Sequence, residues 1–200
     1  MTLLQRIPAP TSRETLIPIL ETERLILRPP QAEDAEGLAT LINDRRIAEN
    51  TARVPHPYTL ADAEDFIADA AGSTERNSFL ITLTDGTLVG GCGIGAADST
   101  MSDLGYWIGV PFWGQGYATE AARALVDHAF ADMGYASLRA CARVSNPASR
   151  RVLEKCGFQW TGVALARVRA INSSAPVDRF RHDRSLWASL KSWGKVRRLA

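Results

Sequence analysis

The stretch from Gly105 to Ala121, GYWIGVPFWGQGYATEA, holds the residues best suited to chemistry. An apolar strand pattern ends at Val110-Pro111, a turn containing Gly114 and Gly116 follows, and a helical stripe begins near Tyr117. The two glycines let the backbone bend tightly and present its amides with no side chain in the way. Unpaired N–H groups of a helix's first turn, and the positive end of its dipole, then point into one concavity. That is a site for a phosphate or pyrophosphate and needs no lysine. The competing reading of the same residues is a plain glycine turn into a helix.

Other chemical patterns fail. Gly91, Gly93 and Ala96 fall in the spacing G-x-G-x-x-A of a dinucleotide fingerprint. The fingerprint needs a helix to start there. The chain instead continues into the polar turn Ala97-Asp98-Ser99-Thr100 and another strand, so these glycines read as strand residues beside a closely packed backbone. There is no Gly-Lys-Ser/Thr and no G-x-S-x-G. His56, His128 and His182 do not combine with Cys92, Cys141 and Cys156 in any zinc spacing, and no metal is assigned. Three cysteines, odd in number and widely spaced, suit reduced thiols better than a disulfide framework.

The elements that must position the turn fit one domain. The chain has 200 residues, 46% hydrophobic and 22% charged, with 23 basic against 22 acidic residues. That balance excludes a polyanion binder driven by bulk charge and an acidic disordered tail. No apolar run is long enough for a membrane span, and the first 20 residues are broken by Arg6, Arg13, Glu14 and three prolines, so a cytoplasmic protein is expected. Residues 1–20 read as an irregular arm, 21–190 as the domain, and 191–200 as a short tail carrying Lys191, Lys195, Arg197 and Arg198. Four charges on a tail are a solvated end rather than a nucleic-acid arm.

Within the domain, Glu23–Arg28 predicts a strand ended by Pro29-Pro30, and Ala32–Asp44 a helix. A second helix over Thr59–Ala71 has Thr59 as its cap, after a loop held by Pro55 and Pro57. Antiparallel strands follow at 78–83, 87–95 and Asp103–Val110, the first two joined through Asp85-Gly86. The stripe from Ala118 to Met133 predicts a long helix closed by Gly134, and alternation over Leu138–Val144 predicts a strand. Asn146-Pro147 opens a helix that Gly157 ends, and strands fit Phe158–Ala166 and Val177–Leu186. Strand, long helix and strand from Asp103 to Val144 imply a parallel pair with a right-handed crossover, so the class is mixed α/β (α+β).

Taken in order, these residues resemble the GNAT superfamily of acyl-CoA N-acyltransferases, and within it the RimJ/RimL-like branch of ribosomal-protein-alanine acetyltransferases. The family's motif Q/R-x-x-G-x-G/A is met by Trp113-Gly114-Gln115-Gly116-Tyr117-Ala118, with Trp113 at the first place. GYWIG, WGQGYATEA, Asn146-x-x-Ser149 with LEKCGF, and ETERLILRP near the start are similar to the same branch. The resemblance covers Thr22 to Trp187. It implies a mostly antiparallel sheet whose fourth and fifth strands, Asp103–Val110 and Leu138–Val144, splay to admit the pantetheine of acetyl-CoA.

The implied roles follow the motif. Backbone groups of Ile108, Gly109 and Val110 would pair with pantetheine as a strand would, with the Val110 N–H facing the thioester oxygen. Amides of Gly114, Gln115, Gly116, Tyr117, Ala118 and Thr119 would take the pyrophosphate. Asn146 would bind pantetheine, or else simply cap its helix. Ser149, one turn on, would stand by the sulfur as the proton donor, because the position where many relatives carry a tyrosine is Leu153. Val168 stands where some relatives place a glutamate base, which leaves Asp103, Glu49 or a water chain. Glu120 reads as structural, favouring the helix dipole. Tyr106, Trp107 and Trp113 read as core or cleft-wall aromatics, and Arg143, Arg150 and Arg151 as mostly solvated charges, one of which could reach the 3′-phosphate.

The implied reaction is acetyl transfer from acetyl-CoA to a primary amine, on a protein N-terminus or a small molecule, by direct attack in a ternary complex. Glu49, Asn50, His56 and Phe180 are the candidate acceptor-side residues. A monomer or homodimer is expected, without membrane or direct nucleic-acid partners. The alternatives are an acyl-CoA-binding module with weak turnover and a ribosome- or nucleic-acid-associated protein.

Overall fold

The computed structural model describes residues 18–73, 76–96 and 101–193. The arm expected at the start therefore lies mostly outside the described residues, as do Lys195, Arg197 and Arg198. The strands are β1 (Leu20–Glu21), β2 (Leu25–Arg28), β3 (Arg76–Leu83), β4 (Leu88–Ala96), β5 (Met101–Ile108), β6 (Ser137–Arg143), β7 (Gln159–Val168) and β8 (Ser173–Asp183). They form one sheet in the order β1-β2-β3-β4-β5-β6-β8-β7. Every neighbouring pair is antiparallel except β5 and β6, which run parallel across the crossover.

Period-two alternation builds two cores, one on each face of the sheet. Phe79 and Ile81 of β3 point toward Leu125 and Phe130 of the long helix α4 (Tyr117–Ala131). Leu80, between them, points the other way, into a cluster with Leu38 of α1 (Ala35–Ile42) and Ala63 of α3 (Leu60–Gly72). Thr59 caps α3, accepting from Asp62 N–H while the Asp62 carboxylate accepts from Thr59 N–H. Among the described residues no helix is long and apolar enough to cross a membrane.

The glycine run of β4 belongs to the strand. A Cβ on Gly91 would lie 2.6 Å from the Trp107 indole nitrogen and one on Gly90 2.3 Å from the Trp107 carbonyl oxygen, so only glycine lets β5 approach this closely.

Four features depart from expectation. A short helix α2 (Arg45–Ala48) stands where the chain read as helix end and loop, because Asn43 leaves the helical region and Asp44 caps a new turn by accepting from Arg46 N–H. β5 stops at Ile108 rather than Val110, since Pro111 draws Val110–Phe112 into a 3₁₀ turn. The last strand ends at Asp183, not Leu186, and α6 (Arg184–Trp193) takes over there. Lys191, assigned to the tail, sits in α6 with its ammonium 2.6 Å from Asp127 of α4, which also accepts from the Trp187 indole at 2.7 Å.

The crossover pair is short. Met101, Ser102 and Asp103 pair with Ser137, Leu138 and Arg139, and beyond these three pairs the strands part. β5 stays with β4 to Ile108 while β6 stays with β8 to Arg143. These are the two strands expected to splay, and the helix α5 (Pro147–Lys155) comes after β6, beside the gap.

His182 of β8 is 1% exposed and packs against the rings of Phe130 and Phe158 at 5.3 and 5.4 Å. Burial lowers its pKa below the ordinary 6.5, although Asp183 opposes this, so the folded state favours the neutral ring. The stability it contributes is complete above about pH 6.5 and is lost as pH falls through the depressed value. Thermal unfolding from pH 8 to pH 5 should show a falling midpoint in the wild type and a smaller fall in His182→Gln. Equal slopes would contradict this.

Candidate functional site

Gly116 adopts a left-handed φ of 86° as the N-terminal cap of α4, and Gly114 a φ of 78°. L-residues with a side chain avoid this region, so both glycines are required by the turn itself. No side chain caps the helix. Thr119 and Glu120 N–H both donate to the Gly116 carbonyl, at 3.0 and 3.1 Å. The amides of Tyr117 and Ala118 precede the first intrahelical bond and face outward at the positive end of a 15-residue helix.

A clamp from the first strands holds this turn. Glu120 accepts from Thr22 Oγ at 2.7 Å, Arg24 N–H at 2.9 Å and Arg24 Nε at 2.8 Å. Burial opposes its ionisation, but the hydrogen bonds from Thr22 and Arg24 outweigh it and hold the carboxyl below its usual range. The same Arg24 guanidinium donates to the Gln115 carbonyl at 3.1 Å and lies 4.8 Å from the centre of the Tyr117 ring. Glu120 is thus structural, in keeping with its place in the first turn.

The turn opens into a cleft of about 470 Å³. One wall is the end of β5 with Tyr106, Trp107 and Ile108, the opposite wall α5 with Asn146, Ser149 and Arg151, and the far end α2 with Arg46, Ile47 and Asn50. Gly109 N–H donates to the Val89 carbonyl at 2.8 Å, so odd-numbered residues of β5 turn their peptide groups to β4 and even-numbered ones to the gap. Tyr106 and Ile108 therefore carry the strand's outward peptide groups. The Ile108 carbonyl is engaged by the Trp113 indole at 2.7 Å, and Arg46 lies over that indole at 5.7 Å.

Of the expected cofactor residues, Ile108, Gly114, Gly116, Tyr117, Ala118, Thr119, Asn146 and Ser149 line this one cleft. Three do not. Gly109 has both backbone groups in use, its carbonyl accepting from Phe112 N–H; Val110 lies in the 3₁₀ turn beside a second hollow under α1; Gln115 has its carbonyl on Arg24. The Thr119 amide is likewise engaged by Gly116. Asn146 is the helix cap, its Oδ1 accepting from Ser149 N–H at 3.1 Å, which leaves its amide nitrogen as the group a ligand could meet.

The catalytic and acceptor-side candidates divide. Asp103 lies in the paired part of β5, half-exposed, with its carboxylate 3.1 Å from Arg139 Nε, and does not line the cleft. Glu49 pairs with Arg45 at 2.6 Å and its carbonyl accepts from Arg143. His56 is exposed on the loop after α2, away from the cleft. Phe180 is 1% exposed in the core of the sheet, because Arg179 and Arg181 on either side take the solvent face. Asn50 alone of the four lines the cleft.

What the sequence reading missed is a contact: the Tyr106 phenol oxygen lies 2.8 Å from Ser149 Oγ. Arg150 is tied to Glu154 and Asp178, and Arg143 to Glu49, so Arg151 and Lys155, a turn apart on α5, are the cations that face the cleft there. None of the described residues lining it is acidic.

Residues 24–159 match the family model described as Acetyltransferase (GNAT) domain. The chain belongs to the GNAT acetyltransferase family. It is an acyltransferase, 32% identical over 154 residues to a putative ribosomal N-acetyltransferase, YdaF, of Bacillus subtilis, covering 71% of this chain and 81% of that one. Its fold is similar to a GNAT-family acetyltransferase of Bacillus anthracis, with TM-score 0.75, 21% identity, and 84% and 99% of the two chains covered. It is also similar to spermidine N-acetyltransferase from Vibrio cholerae, solved with CoA and spermine, with TM-score 0.73, 18% identity, and 84% and 99% covered. The gap between β5 and β6 and the turn at Gly116 lie at the positions where the GNAT resemblance expects the splayed strand pair and the acyl-CoA motif.

Glu120→Ala would leave two Arg24 donors without their acceptor and the Thr22 hydroxyl with only the Leu25 carbonyl. Urea unfolding should show a loss of about 1 kcal/mol, the worth of a half-exposed ion pair with its hydrogen bonds. An unchanged midpoint would show that the clamp does not hold the turn.

Proposed function

We propose that the protein transfers the acetyl group of acetyl-CoA to a primary α-amine by direct attack within a ternary complex. The observation that carries this reading is that a strand gap and a helix N-terminus without a side-chain cap open into one cleft. The pyrophosphate would rest on the amides around Gly116, Tyr117 and Ala118, where anions meet unpaired N–H groups and the helix dipole. Pantetheine would lie along the even-numbered edge of β5, completing a strand that β6 leaves open, with the Asn146 side-chain amide on its other side. Arg151 and Lys155 are the groups for the 3′-phosphate. The cleft then brings the thioester beside Ser149 and opposite the acceptor end at Arg46 and Asn50.

The choice of α-amine follows from charge. An alkylamine of pKa near 10.4 arrives protonated, whereas an α-amine near 7.7–8.0 is substantially neutral close to pH 7.5. With no carboxylate among the described residues lining the cleft, an amine that needs little help is favoured, and water takes its proton. A polyamine would meet Arg151 and Lys155, and Arg46 already paired with Asp44, with no carboxylate among the described residues lining the cleft to hold its charges. Ser149 would donate a hydrogen bond to the departing sulfur, since Leu153 is fully buried and carries no donor. That same lack of a strong acid or base favours a second reading, an acyl-CoA-binding module with little turnover.

Thiol release from acetyl-CoA, screened against short peptides with free N-termini and against spermidine, separates the readings: turnover with peptides only is expected. In Gly116→Val the side chain blocks the approach to the amides, and loss of one charge-assisted hydrogen bond weakens CoA binding by roughly 10–100-fold. Unchanged CoA affinity in a folded Gly116→Val protein would refute the site.

A further inference from the structure

Tyr106 and Ser149 meet across the mouth of the gap. Tyr106 follows Leu104 and precedes Ile108 on the face of β5 that packs toward α4, and its phenol oxygen reaches α5. It lies 2.8 Å from Ser149 Oγ and 3.1 Å from the Ser149 carbonyl oxygen. Both residues line the cleft. Ser149 is held from below, its N–H on Asn146 Oδ1.

A hydroxyl donates one hydrogen bond, so this pair can be wired in two ways. In one, the phenol donates to the Ser149 carbonyl and the serine donates to the phenol; no proton then points into the cleft. In the other, the phenol donates to Ser149 Oγ and the serine O–H is turned outward. A thiolate in the cleft selects the second arrangement, because a hydrogen bond to an ionised acceptor is roughly twice as strong as a neutral one.

We propose that Tyr106 is a positioning residue for acyl transfer: its phenol holds Ser149 Oγ and aims the serine hydroxyl at the sulfur of the departing coenzyme A. The proposal rests on the acetyl-CoA reading above. In the step it serves, the amine nitrogen forms a bond to the thioester carbon and the C–S bond breaks with its electron pair on sulfur. The amine proton passes to water. Neither hydroxyl ionises, and the thiolate is released or takes a proton from solvent. Burial raises the pKa of Tyr106, against a weaker opposing effect of Ser149, which suits a phenol that stays neutral and orients rather than one that gives up its proton. Among the described residues, the charged or titratable groups around the pair are Cys156 near Tyr106 and Arg46, Tyr117, Arg151 and Lys155 along the cleft.

The test titrates the thiol of bound CoA by its thiolate absorbance, against CoA-free protein, in the wild type, Tyr106→Phe, Ser149→Ala and the double variant. Each single variant is expected to raise the midpoint by about one pH unit, and the double variant by no more than either, since both remove one hydrogen bond to sulfur. CoA affinity at neutral pH should stay within about twofold, and kcat with saturating acetyl-CoA and a peptide α-amine should fall roughly tenfold in each, with KM for the amine unchanged. A shift in Ser149→Ala but not in Tyr106→Phe, or shifts that add, would overturn the role of Tyr106 and leave the acyltransferase reading standing. No shift in any variant would overturn the aim of Ser149 as well, and a wild type that does not bind CoA would overturn both this proposal and the reading beneath it.

Discussion

Everything in the site depends on β5 and β6 pairing for three residues and then separating. Each keeps its other neighbour, β5 along β4 and β6 along β8, so the parting does not unravel the sheet. It does leave a row of peptide groups on β5 without a strand beside them, and unpaired backbone groups in a sheltered place demand a partner. An extended, amide-bearing ligand answers that demand as a strand would. The crossover that joins the two parallel strands also delivers α4, whose N-terminus opens into the same cleft as the gap.

The turn at Gly116 would be of little use if it could drift. Its position is fixed by residues almost a hundred places earlier, Thr22 and Arg24, through one carboxylate on the first turn of α4. Glu120 therefore does two things at once. Its charge suits the helix N-terminus, and Arg24 balances that charge, so the negative side chain stays on the clamp instead of repelling an anion over the amides.

The sequence reading and the structure agree where local chemistry decides. Thr59 caps its helix, the glycine run is strand, and Gly114 and Gly116 take the left-handed turn, because each depends on residues within a few places along the chain. They part where distant packing decides. Phe180 lies near a hairpin in sequence, yet its arginine neighbours already show that it faces inward. Asp103 is close in sequence to the cleft but lies in the short paired segment, where Arg139 claims it. Helix α2 stays hidden because four residues give no periodic stripe. The Tyr106–Ser149 contact spans 43 positions between a strand and a helix, and no spacing rule reports it.

The central claim is that acetyl-CoA occupies the β5–β6 gap and the N-terminus of α4 together. Amide hydrogen exchange with and without acetyl-CoA tests it residue by residue. The account predicts new protection at Tyr106 and Ile108 on β5 and at Gly116, Tyr117 and Ala118 on the turn, with Trp107 and Gly109, which face β4, unchanged. Binding with protection elsewhere and none at these five amides would contradict it.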